Sequence, residues 1–447
     1  MRKNVYLRRQ RDVLARQLIV TLAFVVVPLS TVHAQTATPA ATPLTSTASS
    51  QITPAWLEFG TQGQLLARVV VDGDCPALEI DGHAAVMAPR AAATAEFPVV
   101  ACEASVPFGA QSAAIAGQAL NLPDGAFKRI AVIGDTGCRL SDWDKAYQAC
   151  NDPAAWPFAE IARSVAAWDP DLVIHVGDYL YREDACPSSV SGCAGSPFGD
   201  NWQTWEADFF EPVGPLLGSA PWIVMRGNHE TCSRNPEGWF RFLDPRPFQG
   251  GCARFTDPYV IPTIGRSFAV IDSAEASDTS DSPEEVQEYR RQLEALAALA
   301  PPKSWLITHR PMHGVLRGEA GDVEVENASY EAATGGLLFS EYALFLSGHI
   351  HLAQSLAFTD SSGRPAQLIS GNSGTALDDV PSATLTADEL DDAQITEAEN
   401  LQHFGFLTLE PDGDSWVASQ RDAAGNELVR CVLALPDIAC EDSAQAP

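Results

Sequence analysis

DLVIHVGDYLY, residues 171–181, sets how the rest of the chain is read. Leu172, Val173, Ile174 and Val176 make a short apolar run rich in β-branched side chains, the pattern of a strand covered on both faces. His175 sits inside the run and is read as a core residue. The run stops at Gly177-Asp178. Glycine lets the backbone turn sharply there, and a side chain presented just past a strand end meets whatever the sheet edge binds. Tyr179 and Tyr181 follow, and each could either pack or bind.

Four other runs end the same way. RIAVI stops at Gly134-Asp135, PWIVMR at Gly227-Asn228-His229, SWLIT at His309, and ALFLS at Gly348-His349-Ile350-His351. Singly, each is weak, because Gly-Asp after a strand is often only a turn. His349 and His351 share one face of an extended segment, so one strand end can deliver two ligands. Asp135, Asp178, Asn228, His309, His349 and His351 together mix carboxylate, amide and imidazole donors. That mixture suits first-row metals such as iron, zinc or manganese, and a bridging carboxylate can hold two ions about 4 Å apart for phosphate-ester hydrolysis.

GDTG, GDYLY, GNHE, THRP and GHIH, over residues 128 to about 375, resemble the motifs of the calcineurin-like metallophosphoesterases. The resemblance implies an α/β fold, a four-layer αββα sandwich, here preceded by a small β-rich domain. In that superfamily the first motif commonly carries a histidine two residues after its aspartate; here the position is Gly137. GDYLY matches the purple acid phosphatase form, GDxxY, in which the tyrosine is a metal ligand, so Tyr181 takes the place of the absent histidine. Tyr179 does not fall on the motif position. The resemblance implies one site of Asp135, Asp178, Tyr181 and His351, and another of Asp178, Asn228, His309 and His349, with Asp178 bridging. The implied cofactors are two metal ions, Fe(III) plus a divalent ion (Fe, Zn or Mn), generating a hydroxide that attacks phosphorus. The histidine matching His229 contacts phosphate or assists the leaving group in that family. His313, in HRPMH, is a candidate substrate contact or a structural histidine. Arg226 and Arg310 flank motifs and can meet phosphate or pair with nearby acids such as Glu230.

The surroundings fit an exported enzyme. Residues 1–34 read as a signal peptide: six basic residues, then LIVTLAFVVVPL, then Val32-His33-Ala34. A twin-arginine signal at Arg8-Arg9 is the lesser alternative. The small, polar residues 35–50 read as a disordered linker. Residues 51–127 read as a small β-rich, sandwich-like domain, and 128–447 as the metallophosphoesterase domain. All ten cysteines lie beyond the leader and fall in couples along the sequence: 75/102, 138/150, 186/193, 232/252 and 431/440. Proximity predicts those five disulfides, and no CxxC offers a thiolate zinc site. Removing the leader's six bases and one acid takes the formal charge from −30 to −35, which excludes nucleic acid and anionic membranes as partners.

The expected protein is periplasmic or secreted, without a stable membrane anchor. Its expected partner is a small-molecule phosphate ester; the sequence assigns no oligomeric state. PFAEIARSVAAW and the stretch from Ser282 through VQEYRRQLEALAAL read as helices, the second with a Ser282/Glu285 capping box. Residues 378–400 read as a loop or short helix. The tryptophan-rich segment after Tyr181 is expected to shape the pocket. A phosphomonoesterase is the leading function; a phosphodiesterase for cyclic nucleotides or phospholipid head groups is its rival on the same site.

Overall fold

The computed structural model describes residues 54–317, 323–325, 327–334, 341–359, 363–379, 384–386 and 395–442. The expected signal peptide and linker lie outside them.

Two sheets form the centre. In the first, Ile130–Ile133, Leu172–His175 and Pro221–Val224 run parallel side by side, with Val132 opposite Ile174 and Ile174 opposite Ile223. In the second, Arg266–Val270, Ser304–Ile307, Tyr342–Ser347 and Gln367–Ser370 are parallel neighbours. Alternate residues of each strand face the other sheet. Ile130, Val132, Ile174 and Ile223 thus meet Phe268, Ile307, Leu346 and Leu368 in one buried core. The period-two side-chain alternation of strands produces this directly.

The outer faces carry helices. Phe158–Trp168 places Phe158, Ile161, Ala162 and Val165 on one stripe, packed on Ala131, Ile133 and Val173 of the first sheet. Pro283–Leu299 buries Tyr289, Leu293 and Leu296 over Ala269, Leu306 and Phe345 of the second. These are the four αββα layers. Both expected helices are present, but the Ser282 side chain makes no capping bond. Glu285 turns instead to Arg254, 3.1 Å away, so the expected capping box is not formed.

The segment before residue 128 is β-rich as expected, and its strands continue the first sheet. Trp56–Phe59 pairs in parallel with Pro221–Val224, and Leu65–Val71, Val100–Val106 and Ala88–Ala91 follow outward. One face of these strands joins the helix-covered core through Trp56, Val70 and Ala101. The other, through Leu57, Val69 and Val71, packs on Leu78 and Ile115 of a four-stranded sheet. The two-sided burial explains the run LLARVVV, apolar on both parities except at Arg68. That guanidinium is 1% exposed and lies 2.9 Å from Glu58 and 2.7 Å from Glu103. A buried charge persists only when paired in this way.

At the opposite edge, Gly405–Asp412 and Ser415–Asp422 form a hairpin, continued by Glu427–Ala434 and Asp437–Asp442. Within residues 378–400, Asp378 and Asp379 are loop, whereas Thr384–Thr386 and most of Ile395–Leu401 are strands rather than loop or helix. All five expected disulfides are formed, with Cα–Cα distances of 3.9 to 5.7 Å. No described helix is long and apolar enough to cross a membrane.

Candidate metal centre

The parallel strands of both sheets end at a common edge, and the candidate ligands sit on the turns that follow. Asp135, Asp178 and His349 have φ of 55°, 60° and 72°. Such left-handed backbone in residues with a Cβ costs on the order of 1–3 kcal/mol each and persists only where the surroundings fix it. The turns fix one another. Asp135 N donates to Gly177 O at 3.0 Å. His349 N donates to the Asp135 carboxylate and His229 N to that of Asp178, both at 2.9 Å. Glu230 accepts from the backbone of Tyr179, Leu180 and Gly227, tying the second motif to the third. Gly177 is required twice over: its φ is +105°, and a Cβ there would lie 2.5 Å from His309 Nδ1.

Tyr181 is 1% exposed, and its hydroxyl is the hub of one cluster. It lies 2.9 Å from Asp135 Oδ1, 2.8 Å from Asp178 Oδ2 and 2.9 Å from His351 Nε2. Burial, then the adjacent carboxylates, pushes the phenol well above its ordinary range. Burial and the neighbouring Asp178 likewise push Asp135 up. Two buried carboxylates and a phenol thus crowd together beside an imidazole. A cation among them would relieve the crowding, and the oxygen and nitrogen donors fit a hard first-row ion.

The reason for Gly137 is now geometric. A Cβ at that position would lie 2.6 Å from Tyr181 N and 2.8 Å from Tyr179 O. The loop bearing Tyr181 fills the space that a side chain on the first motif would need. Gly137→Ala is expected to destabilise the fold by about 1–3 kcal/mol, since it overpacks against backbone. A denaturant midpoint equal to wild type would show that the loop yields.

The second cluster shares Asp178. His309 Nε2 is 2.9 Å from Asn228 Oδ1 and 3.3 Å from Asp178 Oδ2. Asp178, His309 and His349 can bring one donor atom each within 4.8 Å of one another. Burial opposes ionisation of Asp178, but His309 and His229 hold its carboxyl well below the ordinary range. His309 and His349 also have supporting acceptors within hydrogen-bond distance, as metal-binding histidines usually do, while His351 has a carboxylate slightly further off. His309 Nδ1 donates to Val176 O at 2.8 Å. His349 Nε2 is 2.9 Å from Asp278, and His351 Nδ1 is 3.6 Å from Asp378. Asp278 and Asp378 carry no local motif; only the folded loops bring them here.

His229 stands beside both clusters, its ring 3.7 Å from that of Tyr181. Its Nδ1 is 3.2 Å from Glu183, and its Nε2 is 3.9 Å from Asp178 Oδ2. Arg234 grips Glu183 through two bonds of 2.5 and 2.7 Å. Burial pushes His229 down to about 4. Asp178, Asn228, His349, His351, His229 and Glu183 open on a cavity of about 560 Å³, also lined by Arg139, Trp143, Arg310 and Asp378.

The structure brings together Asp135, Asp178, Tyr181, Asn228, His309, His349 and His351, with His229 alongside. It does not bring His313 to this cavity: that ring packs 5.4 Å from Phe358. Arg226 is buried against Asp272 and the carbonyls of Ala253 and Arg254, while Arg310 pairs with Asp278 and lines the cavity. Tyr179 stacks on His175 at 3.8 Å, and both are core residues. Trp202, Trp205, Trp222 and Trp239, expected near the pocket, are buried in the helix-covered core of the first sheet. The tryptophan that does line the cavity is Trp143, which precedes Tyr181.

The fold is shared with solved structures. A purple acid phosphatase from yellow lupin (Lupinus luteus) seeds superposes with a TM-score of 0.53 at 12% identity, over 88% of this chain and 74% of that one. PhoD superposes with the same TM-score at 11% identity, over 87% of this chain and 92% of that one. No curated protein matches the sequence. The family model for calcineurin-like phosphoesterases matches residues 128–353, which hold every candidate ligand. The chain therefore belongs to the calcineurin-like phosphoesterase family.

Proposed function

We propose that this chain is an exported phosphomonoesterase working with a ferric and a divalent ion. The observation that carries the reading is the Tyr181 hydroxyl, within 2.9 Å of Asp135, Asp178 and His351. A phenolate among carboxylates and imidazole is a hard anionic donor set, which favours a ferric ion at that position. Tyr181 and His351 would hold that ion with Asp135; Asn228, His309 and His349 would hold the divalent one; Asp178 would bridge. Bound there, the ions would supply positive charge to the phosphoryl oxygens and an acidified water.

The rest falls to the chain. Glu183, fixed by Arg234, sets the His229 ring so that Nδ1 faces the carboxylate and Nε2 faces the cavity. Only the doubly protonated ring, which burial confines to acidic pH, carries a proton on Nε2; in that form the proton is placed for the leaving oxygen of an ester. The five disulfides support export, since such bonds persist in oxidising compartments.

The test is hydrolysis of a nitrophenyl phosphate monoester and the matching diester by the metal-loaded mature protein. Faster turnover of the monoester is expected. Preference for the diester would replace this reading with a phosphodiesterase on the same site.

A further inference from the structure

The cavity over the metal centre has a cationic face that is already neutralised. Arg139 lies 2.6 Å from Asp144, Arg234 lies 2.5 Å from Glu183, and Arg310 is paired with Asp278. Asp378 adds a further carboxylate to the lining. A phosphate held at the metals can be charge-matched there. Among the described residues that line the cavity, a second anionic group elsewhere on the substrate meets no uncompensated cation and at least one extra acid. Polyphosphates and dicarboxylate-bearing esters are disfavoured on that ground.

What the cavity does offer is an aromatic surface. Trp143 lines it and is 93% exposed. Single exposed apolar residues need no explanation in general, but this indole is at the cavity wall and is held on a braced turn. Leu140–Ser141 pairs with Ala146–Tyr147 on either side of it, and the Cys138–Cys150 disulfide closes the base. Asp142 N donates to Asp184 at 2.7 Å, and Ser141 Oγ donates to Asp144 at 3.1 Å. The same disulfide begins three residues after Asp135, so the turn is fixed to the metal motif itself. The braces fix the backbone that carries the ring, so packing on a ligand has only the side chain's own rotation to order.

We infer that Trp143 is a stacking platform for the leaving group, and that the substrate class is a phosphate monoester of a flat aromatic or heteroaromatic alcohol with no second anionic group. This deepens, and rests on, the phosphomonoesterase reading. Stacking of this kind contributes about 0.5–1.5 kcal/mol, or roughly two- to twelvefold in affinity.

The experiment measures binding of phenylphosphonate and methylphosphonate to the metal-loaded protein by calorimetry, for wild type, Trp143→Ala and Trp143→Phe. These probes share the anionic group and cannot be hydrolysed as esters. Wild type is expected to prefer the phenyl compound several-fold. Trp143→Ala should lose most of that preference and Trp143→Phe should keep it, with methylphosphonate unaffected in all three. Because the side chain is exposed, neither change disturbs a core. Equal binding of the two probes by wild type, or a phenyl preference that survives in Trp143→Ala, overturns the inference. If the preference behaves as expected while wild type hydrolyses neither monoester nor diester, the platform stands and the phosphoesterase reading of this site falls instead.

Discussion

Tyr181→Phe is expected to leave the protein folded while stripping the proposed ferric ion and any tyrosinate-to-iron colour. The ring would keep its packing against His229 and His351, at centroid distances of 3.7 and 5.6 Å. Only the hydroxyl disappears, and with it the donor shared by Asp135, Asp178 and His351. Loss of a partner that merely supports a ligand already costs about 10–100-fold in metal affinity, so loss of the ligand itself should cost at least that. Without the bound ion, Asp135 and Asp178 are left as two buried carboxylates close together, which raises the cost of ionising both. The readouts are visible absorption, metal content by elemental analysis, and the unfolding midpoint with and without added metal. Tyr179→Phe is the control, because that tyrosine packs among His175, Trp205 and Trp239 rather than at the centre. Unchanged colour and metal content in Tyr181→Phe would make Tyr181 a packing residue and remove the case for ferric iron.

The candidate ligands were legible because each is announced locally. A short apolar run that ends in Gly-Asp, Gly-Asn-His or Gly-His-Ile-His marks both a strand and what its end presents. The groups that orient those ligands have no such signal. Glu183 is one of 58 acids, and Asp278 and Asp378 are 71 and 27 residues from the histidines they support. Nothing short of the fold separates them from solvated surface charge. The misplaced tryptophans have a different cause. Pro212, Gly214 and Pro215 hide the helical segment that runs from Trp202 to Leu217. That segment accommodates its prolines partly through a π-turn at Glu206–Phe210 and is held by packing of Trp205, Phe209 and Leu216. Tertiary burial outweighs intrinsic propensity there, so aromatic residues that read as pocket walls are core. The first strands were legible as β but not as part of the first sheet, because parallel pairing of Leu57 with Pro221 spans a separation that no local pattern encodes.

His229→Ala should keep both metals and lose most activity, in a way that depends on the leaving group. His229 ligates neither cluster in the proposed arrangement; its ring packs on that of Tyr181, and its bond to the Asp178 carboxylate comes from the backbone N–H, which alanine retains. Its ring offers Nε2 to the cavity, with Nδ1 facing Glu183. A positioned general acid contributes about 10²–10⁴-fold, and its contribution is largest where the departing oxygen is most basic. The full loss is therefore expected with an alkyl monoester, whose alkoxide needs a proton. A much smaller loss is expected with nitrophenyl phosphate, whose phenolate leaves readily. Equal losses on both esters would instead make His229 a phosphate contact, and loss of metal would make it part of the centre's support. Glu183→Gln separates orientation from chemistry. It keeps the imidazole but removes the charge that Arg234 and His229 share, so it should give a smaller loss than His229→Ala while preserving the same dependence on leaving group. If Glu183→Gln instead matched wild type on the alkyl ester, the 3.2 Å approach of Glu183 to His229 would have no part in catalysis.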